Sequence, residues 1–201
     1  MDNIWKFGAF KTAELIRKKE ITSEEAVTSS IERIKSKNPK LNAVVDDLSL
    51  EALKESKSMD VMANKGEIRG PLHGVPITIK ENIDQKGHAT PNGLVALKDL
   101  IAPGNAPVVD NLKKAGAIVI GRTNTPEFSM RGTTDNVLHG RTLNPWNDWA
   151  SPGGSSGGAS AAVMSGMGVL AHGNDIAGSL RIPSTATGAT TVKPGLGRVP
   201  A

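Results

Sequence analysis

The sequence predicts an α/β layered domain. Three features carry that prediction: an N-terminal third with a helical apolar stripe, short apolar runs of strand type further on, and helical segments that alternate with those runs. The 201 residues suffice for one sizeable core, and 38% hydrophobic with 22% charged residues is ordinary for a globular protein. The 22 glycines and 12 prolines gather at turns and form no low-complexity tract, which argues against disorder. We expect a single domain over residues 1–201, with helices over about 8–65 packed on an α/β core over about 66–201.

The elements follow in order. The first sixty residues read as helical. Thr22-Ser23-Glu24-Glu25 has the pattern of a capping box, in which the Thr22 hydroxyl accepts from a backbone N–H and Glu25 reaches back. Val27, Ile31 and Ile34 then form one apolar stripe, and Asn38-Pro39 is expected to end the helix. A second helical pattern runs from about Leu48 to Ala63, closed by Gly66. Val75 to Ile79 alternates apolar and polar residues as a strand does and leads into Lys80. Pro107 can start a short helix with Val108, Leu112 and Ala115 on one face. Ala117 to Ile120 is a continuous apolar run of the buried-strand type, residues 158–167 are rich in small helix formers, and Val169 to His172 reads as another buried strand.

Composition excludes several function classes. The net charge of +4 is scattered, and the densest basic groups, Arg17 to Lys19 and Lys35 to Lys40, lie on or beside helices as solvated faces. Aromatic residues make up 3% with no Tyr, so no base-stacking platform and no nucleic-acid partner are expected. Without Cys there is no thiol nucleophile, disulfide or Cys-based metal site. His73, His88, His139 and His172 are far apart and none pairs at metal-ligand spacing, so neither metal nor other cofactor is expected. His172 reads as a structural histidine at a strand end. MDNIWKFGAF lacks a basic stretch followed by an apolar run, and no apolar segment reaches the roughly 18 residues of a membrane span, so the expectation is a cytoplasmic protein with no membrane partner.

Three segments carry chemistry. In Gly70 to Asn82, Lys80 follows an apolar strand; most such lysines are surface residues, but a buried one loses its charge because desolvation disfavours the ammonium, and a neutral lysine is a competent base. Ser151 to Gly158 is a glycine-rich turn running into a small-residue helix. Such a turn offers N–H groups to an anion, yet it lacks the lysine of a phosphate loop and does not fit Gly-x-Gly-x-x-Gly. Gly173 to Ser184 follows an apolar strand and sets Ser179 after a tight turn, where a hydroxyl beside unpaired N–H groups can be a nucleophile with its oxyanion hole, or a plain turn residue.

Together these segments resemble the amidase signature family. The carrying stretches, in order, are GPLHGVPITIKEN, AGAIVIGRTNTPEF, HGRTLNPWN, SPGGSSGGASAA and GNDIAGSLRIPS, and the match runs from about residue 8 to the C-terminus. The resemblance implies a layered α/β/α fold with a mixed sheet, here a shortened core carrying N-terminal helices. It also implies a Ser-cisSer-Lys triad: Lys80 as base, Ser155 as the serine after a cis peptide bond, and Ser179 as nucleophile. The 24-residue step from Ser155 to Ser179 is the family's spacing and selects Ser155 over Ser156. The backbone N–H groups of Ile176, Ala177, Gly178 and Ser179 would form the oxyanion hole, and Ser129 aligns with a substrate-contacting position. The implied activity is hydrolysis of a small carboxylic amide, with esters as a further class, through a serine acyl-enzyme.

The chain departs from the family pattern at four points. Ala177 stands where Gly is usual, and at φ > 0 it would cost roughly 1–2 kcal/mol. Asn174 stands where Thr is typical, and Thr187 where Cys is frequent. Family members are also usually more than twice as long, so the resemblance implies an open sheet edge: either the chain is a piece of a longer protein, or it covers the edge by associating with itself. Two alternatives therefore stand beside the enzyme: a catalytically idle half-domain that binds a partner or itself, and an amidase-like component of a tRNA-dependent amidotransferase.

Overall fold

The computed structural model describes residues 3–199. Helix α1 (Ala9–Arg17) precedes α2 (Ser23–Leu41), whose start is the expected capping box. Glu25 N donates to Thr22 Oγ1 at 3.0 Å and Thr22 N to Glu25 Oε2 at 2.7 Å. The Asp60 carboxylate of α3 (Ser49–Asn64) takes the next two N–H groups, those of Ser23 and Glu24. These bonds satisfy donors that a helix start leaves orphaned.

Asn38-Pro39 does not end α2. Proline sits in the last turn, and the helix runs to Leu41, where Asn42 turns left-handed at φ 50. Asn38 Oδ1 accepts from Ala43 N and Val44 N while its Nδ2 donates to Val44 O. That side chain delivers the backbone into β1 (Val44–Asp47), a strand inside the region the sequence reads as wholly helical. Four residues carry too little periodicity to announce a strand; its pairing with β3 makes it one.

The sheet has the order β1-β3-β2-β4. Strand β2 (Pro76–Lys80) pairs parallel with both β3 (Ile118–Thr123) and β4 (Leu170–Ala171), and β1 pairs antiparallel with β3, so the sheet is mixed. Helix α4 (Pro107–Lys114) lies on the crossover from β2 to β3. The predicted run over 169–172 does form a ladder with β2, since Val169 N donates to Pro76 O and His172 N to Thr78 O beyond the two-residue strand itself, but it is an outer strand with Leu170 exposed and not the buried strand expected. Helix α5 (Gly157–Met164) occupies the small-residue segment, and α6 (Arg181–Thr187), unannounced by the sequence, follows the Ser179 turn.

Period-two alternation sorts the strands onto two faces. Ile118 and Ile120 of β3 join Val27, Ile31 and Ile34 of α2, Met59 of α3 and Ala161 of α5 in one apolar cluster. Val119 of β3 joins Ile77 and Ile79 of β2, Val109 of α4 and Ala13 of α1 in another. Helices thus cover both sheet faces, the expected α/β/α layering. In β2 the complementary residues, Thr78 and Lys80, point away from the Ile77–Ile79 face.

Candidate active site

Lys80 ends β2 with its side chain fully buried. Its Nζ lies 2.6 Å from Ser155 Oγ and 2.8 Å from Asn174 Oδ1. Burial pushes the Lys80 ammonium down to about 7, against the opposing pull of the Glu81 and Asp175 charges. Near neutrality the amine is therefore divided between its charged and neutral forms, the range in which a general base works best.

Ser155 is 1% exposed and follows a cis peptide bond from Gly154. The glycine-rich segment around it is held from outside the turn. Thr134 Oγ1 donates to Gly153 O and accepts from Gly157 N, and Ser151 Oγ accepts from Gly153 N. Just beyond, α5 packs so closely that a Cβ on Gly158 would stand 2.5 Å from Asn124 N and 2.6 Å from Asn124 O.

Ser179 sits on the turn between β4 and α6. Its main chain is tied to the Ser155 segment, because Ser156 N donates to Ser179 O at 3.1 Å. Among the described residues the Lys80–Ser155 contact is a side-chain hydrogen bond, whereas Ser179 is tied only by its main chain to Ser156, and its hydroxyl bonds neither Ser155 nor Lys80. Asp175 organises the turn: its carboxylate accepts from the N–H groups of Gly178, Leu180 and Arg181 and from the Arg181 guanidinium. With Arg181 paired to it and the amide bonds in support, the Asp175 carboxyl is held well below the usual carboxylate range.

This wiring bears on the predicted oxyanion donors. The Gly178 N–H is given to Asp175 Oδ1 at 2.7 Å, while those of Ile176, Ala177 and Ser179 have no acceptor among the described residues. The left-handed position of the turn is Gly178, at φ 116, and Ala177 is not in that region. The strain that Ala177 would carry at positive φ does not arise.

Ser129, the predicted substrate contact, lies in a short 3-10 turn with φ 58. Its hydroxyl donates to Asn92 Oδ1, accepts from Asn82 Nδ2 and lies 3.0 Å from Thr125 Oγ1. All three bonds are internal and tie its loop to Asn82, two residues beyond Lys80. His172 is neutral: burial, with Lys80 adding to it, lowers the imidazole to about 4. Its Nδ1 is buried without a partner among the described residues, unlike a satisfied structural histidine. No group of His, Asp and Glu among the described residues has a metal-binding arrangement, and no helix there is long and apolar enough to cross a membrane.

Several residues around the site escaped the sequence reading. Glu81 is buried, accepts from Gly93 N and pairs with His139 at 2.8 Å. Arg122, on β3, is buried and donates to the carbonyls of Glu81, Ile83 and Ala89, pinning the chain that leaves Lys80. Asn174, noted in the sequence only as a departure from the family pattern, and Asp175 act through side-chain bonds that only the folded turn reveals. A small cue existed in the Asp175–Arg181 pair that brackets the turn, since an acid before a run of small residues is a local N–H acceptor.

The model of the family described as Amidase matches residues 25–201. An indoleacetamide hydrolase of Bradyrhizobium diazoefficiens is 58% identical over 98% of this chain and 38% of its own length. A glutamyl-tRNA(Gln) amidotransferase component of Lachnoclostridium phytofermentans is 41% identical over 98% of this chain and 40% of its own. The crystal structure of a bacterial aryl acylamidase of the amidase signature enzymes superposes with a TM-score of 0.85 at 35% identity, covering 90% of this chain and 38% of that one. The chain thus spans about two fifths of the length of these relatives.

Proposed function

The chain belongs to the amidase family, and from that premise we propose that it hydrolyses a carboxylic amide through an acyl-enzyme on Ser179. The observation that carries the reading is the buried Lys80 amine, lowered to about 7 and 2.6 Å from Ser155 Oγ, beneath the Ser179 turn. Neutral Lys80 takes the Ser155 proton as Ser155 takes that of Ser179, and the Ser179 oxygen attacks the amide carbon. Ser155 then returns its proton to the leaving nitrogen, and water cleaves the ester. The unclaimed N–H groups of Ile176, Ala177 and Ser179 are the donors for the oxyanion; Gly178 serves the hole by holding the turn through Asp175. Similarity to an indoleacetamide hydrolase favours a primary amide of an aromatic acid as substrate.

The test is the intact mass of the chain after exposure to a serine-reactive fluorophosphonate, beside Ser179→Ala. One adduct on the parent and none on the variant is expected. A folded parent that takes no adduct overturns the proposal.

Two other readings have specific support. The amidotransferase reading rests on the 41% identity to a component of such an enzyme, and it predicts release of ammonia from glutamine that rises with partner proteins and ATP. The self-associating reading rests on β4, an outer strand with Leu170 37% exposed and the nearby Ile176 fully exposed.

A further inference from the structure

The Lys80 amine meets two oxygens of unlike character. Ser155 Oγ can donate or accept, so its 2.6 Å contact with Nζ reverses direction with charge: Nζ–H to Oγ when Lys80 is an ammonium, Oγ–H to Nζ when it is neutral. Asn174 Oδ1, 2.8 Å away, accepts only, so it takes an N–H from Lys80 in both states. Asn174 is itself anchored, because Ser156 Oγ donates to its carbonyl oxygen at 3.3 Å. The neighbouring Gly173 packs on the same serine, where an added Cβ would lie 2.8 Å from Ser156 Oγ.

We propose that Asn174 is a positioning residue for the base: its side-chain carbonyl holds the Lys80 amine in place while the Ser155 proton moves onto Nζ and back. The inference rests on the acyl-enzyme reading above. With one N–H fixed on Asn174, the amine keeps its place as its charge changes, and proton exchange with Ser155 needs no swing of a four-carbon side chain. The charged and titratable groups that act on the amine are Glu81, just past the end of β2, Asp175 on the turn, and His172 at the exit of β4. Asn174 adds an acceptor to that set without adding a charge.

The experiment follows Lys80 directly in the intact chain. Lysine labelled at Cε and Nζ is titrated by NMR, with the Lys80 signal assigned through Lys80→Arg, in the parent, Asn174→Asp and Asn174→Leu. Fluorophosphonate labelling rates are measured alongside as a function of pH. Asn174→Asp keeps the acceptor and adds a charge, so the Lys80 midpoint should rise by about one unit or more. The acid limb of labelling should move with it. Asn174→Leu keeps the volume and removes the acceptor, and it should slow labelling at least about ten-fold even where Lys80 is neutral. A Lys80 midpoint unmoved in Asn174→Asp, or a folded Asn174→Leu labelled at the parent rate, overturns the proposal. If Asn174→Leu does not fold, the near-isosteric Asp variant decides by itself. A parent that never labels, with a midpoint that still moves in Asn174→Asp, sinks the acyl-enzyme reading while the Asn174–Lys80 contact stands.

Discussion

At the scale of the residue, the proposed base is a lysine that burial lowers to about 7. An unfolded Lys80 holds its proton up to its ordinary 10.5, and the folded one only up to about 7. Between those values the unfolded chain binds more protons, so this group makes stability rise with pH, by at most about 1.4 kcal/mol per pH unit. Below about 7 both states are charged and the burial penalty is constant. Lys80→Met removes the penalty, so it should stabilise the chain by several kcal/mol near and below neutrality, on the order expected for a buried ammonium. The advantage should shrink as pH climbs toward 10.5. Denaturant midpoints of both chains along that range measure it; a difference that stays flat with pH would show that Lys80 is not depressed. The same lysine should set the acid limb of activity, with Ser179 labelling rising through about pH 7.

At the scale of the element, the site is a matter of how closely α5 and two turns can be pushed against the sheet. Gly158 is one such tight point: a Cβ there meets the backbone of Asn124 and, at 2.9 Å, Ala43 O, none of which can rotate away. Gly158→Ala should therefore cost about 1–3 kcal/mol despite alanine's better helix propensity, and should slow Ser179 labelling by shifting the helix that begins beside Ser155. A thermal melt with a labelling time course checks both, and an unchanged or raised melting temperature would refute the packing argument. The elements also show where the sequence was readable. The capping box, the α2 stripe and the β2 and β3 runs are local patterns, and the structure follows them. Strand β1 and the last turn of α2 are not local: Asn38 turns its side chain onto Val44, and only pairing with β3 makes 44–47 a strand. Motif order singled out Lys80, Ser155 and Ser179 as candidates, and the fold sets Lys80 against Ser155 and the Ser179 turn against Ser156. Asn174 stood out only as a departure from the family pattern, and Asp175 and Arg122 not at all, because their roles lie in side-chain bonds across turns or strands that no spacing encodes.

At the scale of the whole molecule, the two outer strands are treated differently. Strand β1 ends in Asp46-Asp47, and charge on an outer strand discourages pairing with another chain. Strand β4 has no such guard. Leu170 is partly exposed, Ile176 and Ile182 of the next turn and helix are exposed, and no charged residue stands within the strand. An unguarded edge beside apolar side chains is a template for strand pairing, so the two edges should not behave alike. For the 201-residue chain by itself, sedimentation over a concentration series should show reversible association, dimers or larger. Leu170→Lys, which places a charge on β4, should return it to monomer with little change in melting temperature, since that side chain is already partly in water. A lysine added at the Asp-guarded β1 edge, at Val45, should leave the association as it was. A parent that stays monomeric at every concentration would mean that the β4 edge is blunted by its own shortness, two residues giving a second chain too few bonds to hold.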